Sequence, residues 1–159
     1  MTRWLNEQQQ AAWRAWIAAS LLLPDRLSRD LMEQADISLA DYEILVYLSE
    51  SAERRLRMSE LADLTLSSRS RLSHQIDRLT RAGLVDRQPC SEDRRGAFAV
   101  LTPAGWDFLV ATAPAHVESV REHLVDVLTE EEFDEFGRLC AKVADRLRPC
   151  EDGASDGCG

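Results

Sequence analysis

A chain of 159 residues, 45% hydrophobic and 30% charged, has the size and mixture of a soluble globular protein with one domain, or one domain with helical extensions. Its densest apolar cluster near the N-terminus, Leu21-Leu22-Leu23, falls far short of the roughly 20 residues that span a bilayer. A net charge of −9 weighs against loose binding of polyanions.

Residues 4–23 place Leu5, Ala12, Trp13, Trp16, Ile17, Ser20 and Leu23 at three- and four-residue steps, which predicts an amphipathic helix. Pro24 predicts a break or kink, because proline lacks an amide donor and crowds the preceding turn. Asp25 to Met32 resumes the pattern through Leu27 and Leu31. Ser38 reads as the N-cap of a second helix. Asp41 and Glu43 suit its positive start, and Tyr42, Leu45, Val46 and Leu48 supply its buried side. Ser49 to Arg57 is a charged connector in which Leu56-Arg57-Met58 can form a very short strand.

Ser59 caps a short helix to Leu64, and Thr65-Leu66-Ser67 forms a turn. Ser68 caps a longer helix to about Ala82, with Leu72, Ile76 and Leu79 as its apolar stripe. Gly83 stands where a helix-ending, left-handed residue is usual. Leu84 to Arg87 and Gly96 to Leu101 read as two strands, with Gln88 to Arg95 as the hairpin tip. Thr102 caps a helix that begins at Pro103 and carries Phe108 and Leu109. Pro114 predicts a kink, after which the pattern continues through Val117, Val120, Leu124, Val127 and Leu128. Thr129 and Glu132 form a capping box for a last helix that buries Phe133, Phe136, Leu139, Val143 and Leu147. Residues 149–159, rich in Gly, Asp and Ser, are expected to be a disordered tail.

The net charge hides an asymmetry. Residues 65–95 hold seven arginines against four acids, a balance of +3, so the remaining residues carry −12 of the total −9. The order of elements is helix, short helix, turn, helix, two-stranded hairpin. That is the order of a winged helix-turn-helix. A recognition helix turns one donor-rich face to the major groove and one apolar face to its own domain. With Leu72, Ile76 and Leu79 facing in, Arg69, Ser70, Arg71, Ser73, His74 and Arg78 remain for the other faces. Arg69 and Arg71 can bond guanine edges or phosphates, and the helix start offers free amides to a phosphate. Asp77 would be repelled by DNA unless paired, and Arg81, four residues on, can screen it. A plain solvated helix face is the competing reading.

An arginine at a narrow hairpin tip can enter the minor groove, where negative potential concentrates. Asp93 and Arg95 have the spacing for a bidentate pair that orients the guanidinium. Arg94 is left to the adjacent backbone. A surface ion pair on a turn is the alternative there.

Ser-Leu-Ala-Asp-Tyr-Glu-Ile-Leu (38–45), Arg-Met-Ser-Glu-Leu-Ala (57–62), Ser-Arg-Ser-Arg-Leu-Ser-His-Gln-Ile-Asp-Arg-Leu (68–79), Ala-Gly-Leu-Val (82–85) and Glu-Asp-Arg-Arg-Gly with Leu-Thr-Pro-Ala-Gly (92–105) closely resemble the MarR family of bacterial transcription regulators. The resemblance covers about residues 4–148. It implies a mainly α fold with a small two- to three-stranded β wing. The implied assembly is a triangular homodimer whose helical dimerisation region, residues 1–35 and 104–148, interleaves terminal helices. Two winged helix-turn-helix lobes, residues 36–103, would grip a pseudo-palindromic operator in double-stranded DNA, usually blocking transcription. Ser68, Arg69, Ser70, Arg71, Ser73 and His74 fall on the family's groove-reading positions. Arg78 falls on its phosphate-contacting position, and Asp93, Arg94 and Arg95 on its wing tip.

Departures narrow the family reading. The peroxide-sensing branch has a reactive cysteine in its first helix, and here no cysteine precedes Cys90. The zinc-sensing branch needs clustered ligands, whereas His116 and His123 stand roughly 10 Å apart along a straight helix. The urate-sensing branch's acids and arginine have no residue-by-residue assignment in this chain. That leaves an unknown small organic ligand or none; where there is one, a small aromatic or amphipathic effector is expected, with Trp13, Trp16 and His116 as candidate lining. Core or dimer packing is the plainer role for the tryptophans.

No metal, cofactor or catalytic residue is expected, since there is no Gly-rich phosphate loop, nucleophile elbow or metal triad. The rival reading is a winged helix that binds protein without sequence-specific DNA binding. Cys90, Cys140, Cys150 and Cys158 lack C-x-x-C spacing and read as free thiols, with Cys90 the candidate for a redox role. With no apolar segment and cleavage site near its start, the chain is expected in the cytoplasm.

Overall fold

Asn6 starts the first helix. Its side chain accepts from the Gln9 amide at 2.8 Å, and Gln9 Oε1 accepts from the Asn6 amide at 3.1 Å. This reciprocal cap moves the start to Glu7, three residues beyond the expected position. The computed structural model describes residues 1–90 and 96–148. Helix α1 runs Glu7–Ala35 without a break at Pro24. A proline removes one amide donor, and the bonds on either side of it carry a 29-residue helix past it. Asp36 ends α1 in the left-handed region, with φ 53°.

Helix α2, Leu39–Glu50, has the expected cap: Ser38 Oγ accepts from the Asp41 amide at 3.2 Å. Ser28 of α1 accepts from the Leu39 amide at 3.2 Å, which ties the two helices at their junction. Tyr42, Leu45 and Leu48 are buried as expected; Ile44 is fully buried too, and Val46 is only partly covered. A short 3-10 turn at Ala52–Arg54 leads into strand β1, Arg55–Arg57.

Helix α3, Met58–Leu64, starts one residue before the expected Ser59 cap. Glu60 reaches back to accept from the Arg57 amide at 3.0 Å, so a carboxylate does the work assigned to the serine. Helix α4, Arg69–Arg81, is capped by Ser68 as expected, with Oγ accepting from the Arg71 amide at 3.2 Å. Strands β2, Val85–Pro89, and β3, Ala97–Leu101, pair antiparallel, and β1 adds to the far edge of β3. The fold is therefore mainly helical, with one small three-stranded antiparallel sheet.

Leu72, Ile76 and Leu79 seat α4 on a core with Leu31 of α1, Leu45 of α2 and Leu61 of α3. Val85, Ala99 and Leu101 close that core from the sheet. Gly83 turns the chain out of α4 at φ 74°. Thr102 then joins two elements. Its hydroxyl donates to the Gly83 carbonyl at 2.7 Å and accepts from the Gly105 amide at 2.9 Å.

Helix α5, Pro103–His123, passes through Pro114 unbroken and stops earlier than its pattern suggests. Residues Val125–Val127 form a 3-10 turn instead, with Arg121 paired to Asp126 across it. The described residues from 121 to 148 belong to a second compact unit. In it Thr129 and Glu132 make the expected capping box for helix α6, Glu130–Leu147. The apolar face of α6 forms, but none of its residues is buried, against the sequence expectation. An apolar stripe is buried only where a second surface covers it. Among the described residues no helix is long and apolar enough to cross a membrane.

Candidate nucleic-acid interface

With its apolar stripe seated, α4 turns a polar face outward. Arg69, Ser70, Arg71 and His74 are exposed and Ser73 is half-buried. Ser68 is committed as the cap, and its hydroxyl also meets that of Ser70 at 3.3 Å. The six groove-reading candidates thus gather on the first two turns of one helix.

Arg78 stands apart from them. Its Nη2 lies 2.9 Å from each Asp41 carboxylate oxygen, and its Nε donates to Oδ2 at 3.2 Å. Gln75 Nε2 adds a longer contact to the same carboxylate at 3.4 Å. Asp41 is buried, so it serves α4 and not only the start of its own helix. The expected partner of Asp77 also changes. Arg81 Nε donates to the Asp77 backbone carbonyl at 3.1 Å, while the Asp77 carboxylate faces Arg87 Nη2 of β2 at 3.4 Å.

The hairpin beside α4 closes through the Cys90 amide, which donates to the Gly96 carbonyl at 3.0 Å. Cys90 itself is buried, whereas Cys140 is exposed, and both are free thiols. The wing-tip candidates Asp93, Arg94 and Arg95 lie outside the described residues. On β1 and the turn before it, arginines stack on aromatic rings. Arg54 lies 3.8 Å over Trp106, and Arg55 and Arg57 lie 5.0 and 5.4 Å from Phe98.

Comparison with known proteins agrees with this geometry. Residues 35–96 match the model of the MarR family. AbsC, a MarR family transcriptional regulator from Streptomyces coelicolor, is 47% identical with a TM-score of 0.84, over 92% of this chain and 99% of that one. Sco3205, another from the same organism and crystallised in complex with DNA, is 45% identical with a TM-score of 0.88, over 97% of each chain. The chain belongs to the MarR family. The HTH-type transcriptional regulator PecS of Dickeya dadantii (strain 3937) is 28% identical over 127 residues, 79% of this chain and 76% of PecS. This MarR-family chain is a transcription regulator and not an enzyme.

The three effector candidates fall into two groups in the MarR chain. Trp13 and Trp16 stack on each other with ring centroids 5.4 Å apart, both exposed on α1. His116 of α5 lies 4.7 Å from the Tyr42 ring of α2, and its buried Nδ1 has no partner among the described residues. Burial pushes the His116 imidazole below its ordinary value and the Tyr42 hydroxyl above its own. A separate cleft of about 570 Å³ is lined by Met32, Ile37, Leu79, Leu84 and Phe108, and none of the three candidates contributes to it.

Two arginine partnerships, Asp41–Arg78 and Asp77–Arg87, escaped the sequence reading. The first joins residues 37 apart, and no local pattern signals it. The second could have been found from strand alternation, which puts every second residue of β2 on the side facing α4.

Proposed function

We propose that this MarR-family chain is a homodimeric, sequence-specific DNA-binding repressor that grips a pseudo-palindromic operator and releases it on binding a small organic ligand. The observation that carries DNA binding is the donor face of α4, Arg69 to His74, exposed on a fully seated apolar stripe beside a hairpin. A face of that kind is what major-groove reading needs. The presence of DNA in the crystal of Sco3205, 45% identical, supports extending the reading here. Arg69, Ser70, Arg71, Ser73 and His74 read the groove, with Ser68 at the helix start. The half-exposed guanidinium of Arg78 offers a phosphate contact, and in this reading Arg95 enters the minor groove, oriented by Asp93, while Arg94 is left to the adjacent backbone.

Exposed apolar residues support the homodimer: Trp13, Trp16, Leu21 and Leu22 on α1, and Phe136, Leu139, Val143 and Leu147 on α6. Residues 1–35 and 104–148 are accordingly assigned to dimerisation, and residues 36–103 to the DNA-binding lobe. A ligand that prefers a lobe spacing mismatched to successive major grooves would release the operator. Trp13, Trp16 and His116 are its candidate contacts. The protein acts in the cytoplasm in this reading.

Selection of duplexes from a random pool, followed by footprinting upstream of the protein's own gene, tests the proposal. The expected product is an inverted repeat with half-site centres about 10 base pairs apart, or a multiple of that. Absence of enrichment, with weak DNA affinity that ignores salt, would favour a protein-binding winged helix instead.

A further inference from the structure

Arg87 stands opposite Ala99 in the β2–β3 register, and Ala99 is fully buried. Cross-strand partners point to the same side of a sheet. Arg87 therefore leaves the hairpin on the side that packs on α4. There its Nη2 donates to Ser73 Oγ at 3.1 Å and faces Asp77 Oδ1 at 3.4 Å. Ser73 and Asp77 lie one turn apart on α4, so two groups of the recognition helix hold one arginine of the wing. Holding it removes rotamer freedom before any ligand arrives. The side chain still keeps 39% of its surface exposed.

A concavity of about 460 Å³ opens beside it, lined by Arg57, Arg69 and Arg87 together with the hydroxyl residues Ser59 and Ser73. The three arginines come from β1, α4 and β2. Among the described residues that line it, none is acidic. Gathering three cations around one hollow favours an anion there. The identity of that anion rests on the DNA-binding reading above. If α4 lies in a major groove and the hairpin enters the neighbouring minor groove, one DNA strand separates the two. That strand has to cross between α4 and β2–β3, where the hollow lies.

We propose that this hollow seats a phosphodiester of the strand that divides the two grooves. Arg87 is its principal contact, and Ser73 and Asp77 are positioning residues that aim it. The contact carries register and affinity, not sequence, because a phosphate is the same at every step.

Fluorescence anisotropy of the full chain tests this, on a duplex that the wild type selects from a random pool and on a scrambled duplex. Each is titrated over a salt series. Arg87→Ala is expected to weaken both complexes by about tenfold and to reduce the salt slope by about 1. Arg87→Lys keeps the charge and should retain most of that slope. A scan of single methylphosphonates should find one position that costs the wild type about tenfold and costs Arg87→Ala nothing more. Asp77→Ala should weaken binding while keeping the slope, since the arginine remains. A bracing role for Arg87 gives the opposite pattern. Asp77→Ala would then match Arg87→Ala, and every methylphosphonate that costs the wild type would cost the variant as much. That result overturns the seat even where Arg87→Ala melts early, because the scan on Arg87→Lys reads the same contact. If the wild type selects no duplex, the DNA-binding reading fails with it. If the wild type binds and Arg87→Ala keeps its full slope, only the seat fails.

Discussion

Arg78 of α4 and Asp41 of α2 form a forked ion pair across 37 residues of sequence, with both carboxylate oxygens 2.9 Å from one guanidinium nitrogen. The pair is lopsided: the Asp41 side chain is 10% exposed and that of Arg78 is 52%. The acid depends on the arginine far more than the reverse. Arg78→Ala would leave a buried carboxylate with only the long contact from Gln75. The expected cost is about 1–3 kcal/mol, less than for a fully buried pair because half of the guanidinium is in water. Urea unfolding measures it. Replacing both residues with apolar ones should recover much of the loss, since no stranded charge remains. A single variant within about 0.5 kcal/mol of wild type would show the pair to be incidental.

Arg71 is exposed on the face that the proposal assigns to the groove. Arg71→Ala should cost about 1–3 kcal/mol of operator binding and relax base preference at one position per half-site. Repeating the pool selection with the variant reads that position directly. An unchanged consensus would move Arg71 from base reading to a backbone contact.

The contrast between these arginines shows what the chain revealed in advance. Ser38, Ser68, Thr102 and Thr129 were legible as caps because each bonds an amide three residues ahead. The winged order was legible because periodicity changes where the elements do. The partners of Arg78 and Arg87 were not, because they depend on how α2, α4 and β2 meet in space. Pro24 does not break its helix, and Pro114 lies inside a helix that runs on past it, because a proline removes one amide donor and the neighbouring bonds remain. The apolar faces of α1 and α6 were legible as faces, but their burial was not, because it depends on a second surface and not on the order of residues in the helix.

Gly105 has no room for a side chain. A Cβ there would lie 2.1 Å from the Leu84 carbonyl oxygen and 2.8 Å from Leu101 Cδ1. The carbonyl accepts from the Thr102 amide at 3.1 Å, which limits its retreat. Gly105→Ala should destabilise the fold by about 1–3 kcal/mol. Gly137 is the control, because a Cβ there meets nothing within 4 Å. Gly137→Ala should be neutral or stabilise by up to about 1 kcal/mol through helix propensity. Thermal melts should therefore place Gly105→Ala below wild type and Gly137→Ala level with it or above it. A harmless Gly105→Ala would refute the close approach.

His116 links stability to pH. Burial pushes its imidazole below the ordinary 6.5, so the unfolded chain takes up the proton at higher pH than the folded one. The sign follows from that difference. There is no penalty well above 6.5, and stability falls as pH drops through about 6.5 toward the lower folded value. Glu43 works the other way, since burial raises its carboxyl. Its contribution is present below its ordinary value and is lost as pH rises through the raised one. Comparing wild type with His116→Phe leaves Glu43 in both and isolates the histidine. Urea midpoints at pH 7.5 and 5.5 should separate more in wild type than in the variant. Equal separations would remove His116 from the account.

Phe136, Leu139, Val143 and Leu147 recur at three- and four-residue steps on α6, and each is at least 39% exposed. Four large apolar side chains on one helix face cost free energy in water unless something covers them. The proposal assigns that cover to a second copy of the chain. Leu139→Glu would place a charge in the middle of the stripe, where burial without a partner is expensive. Sedimentation velocity at micromolar concentration should then show wild type as a dimer and Leu139→Glu shifted toward monomer. Operator affinity should fall with it, because two half-sites are gripped together only when the lobes are joined. The wild-type lobe would still bind a single half-site weakly, which separates lost assembly from lost folding. A wild type that sediments as a monomer while selecting an inverted repeat would break the link between α6 and operator symmetry.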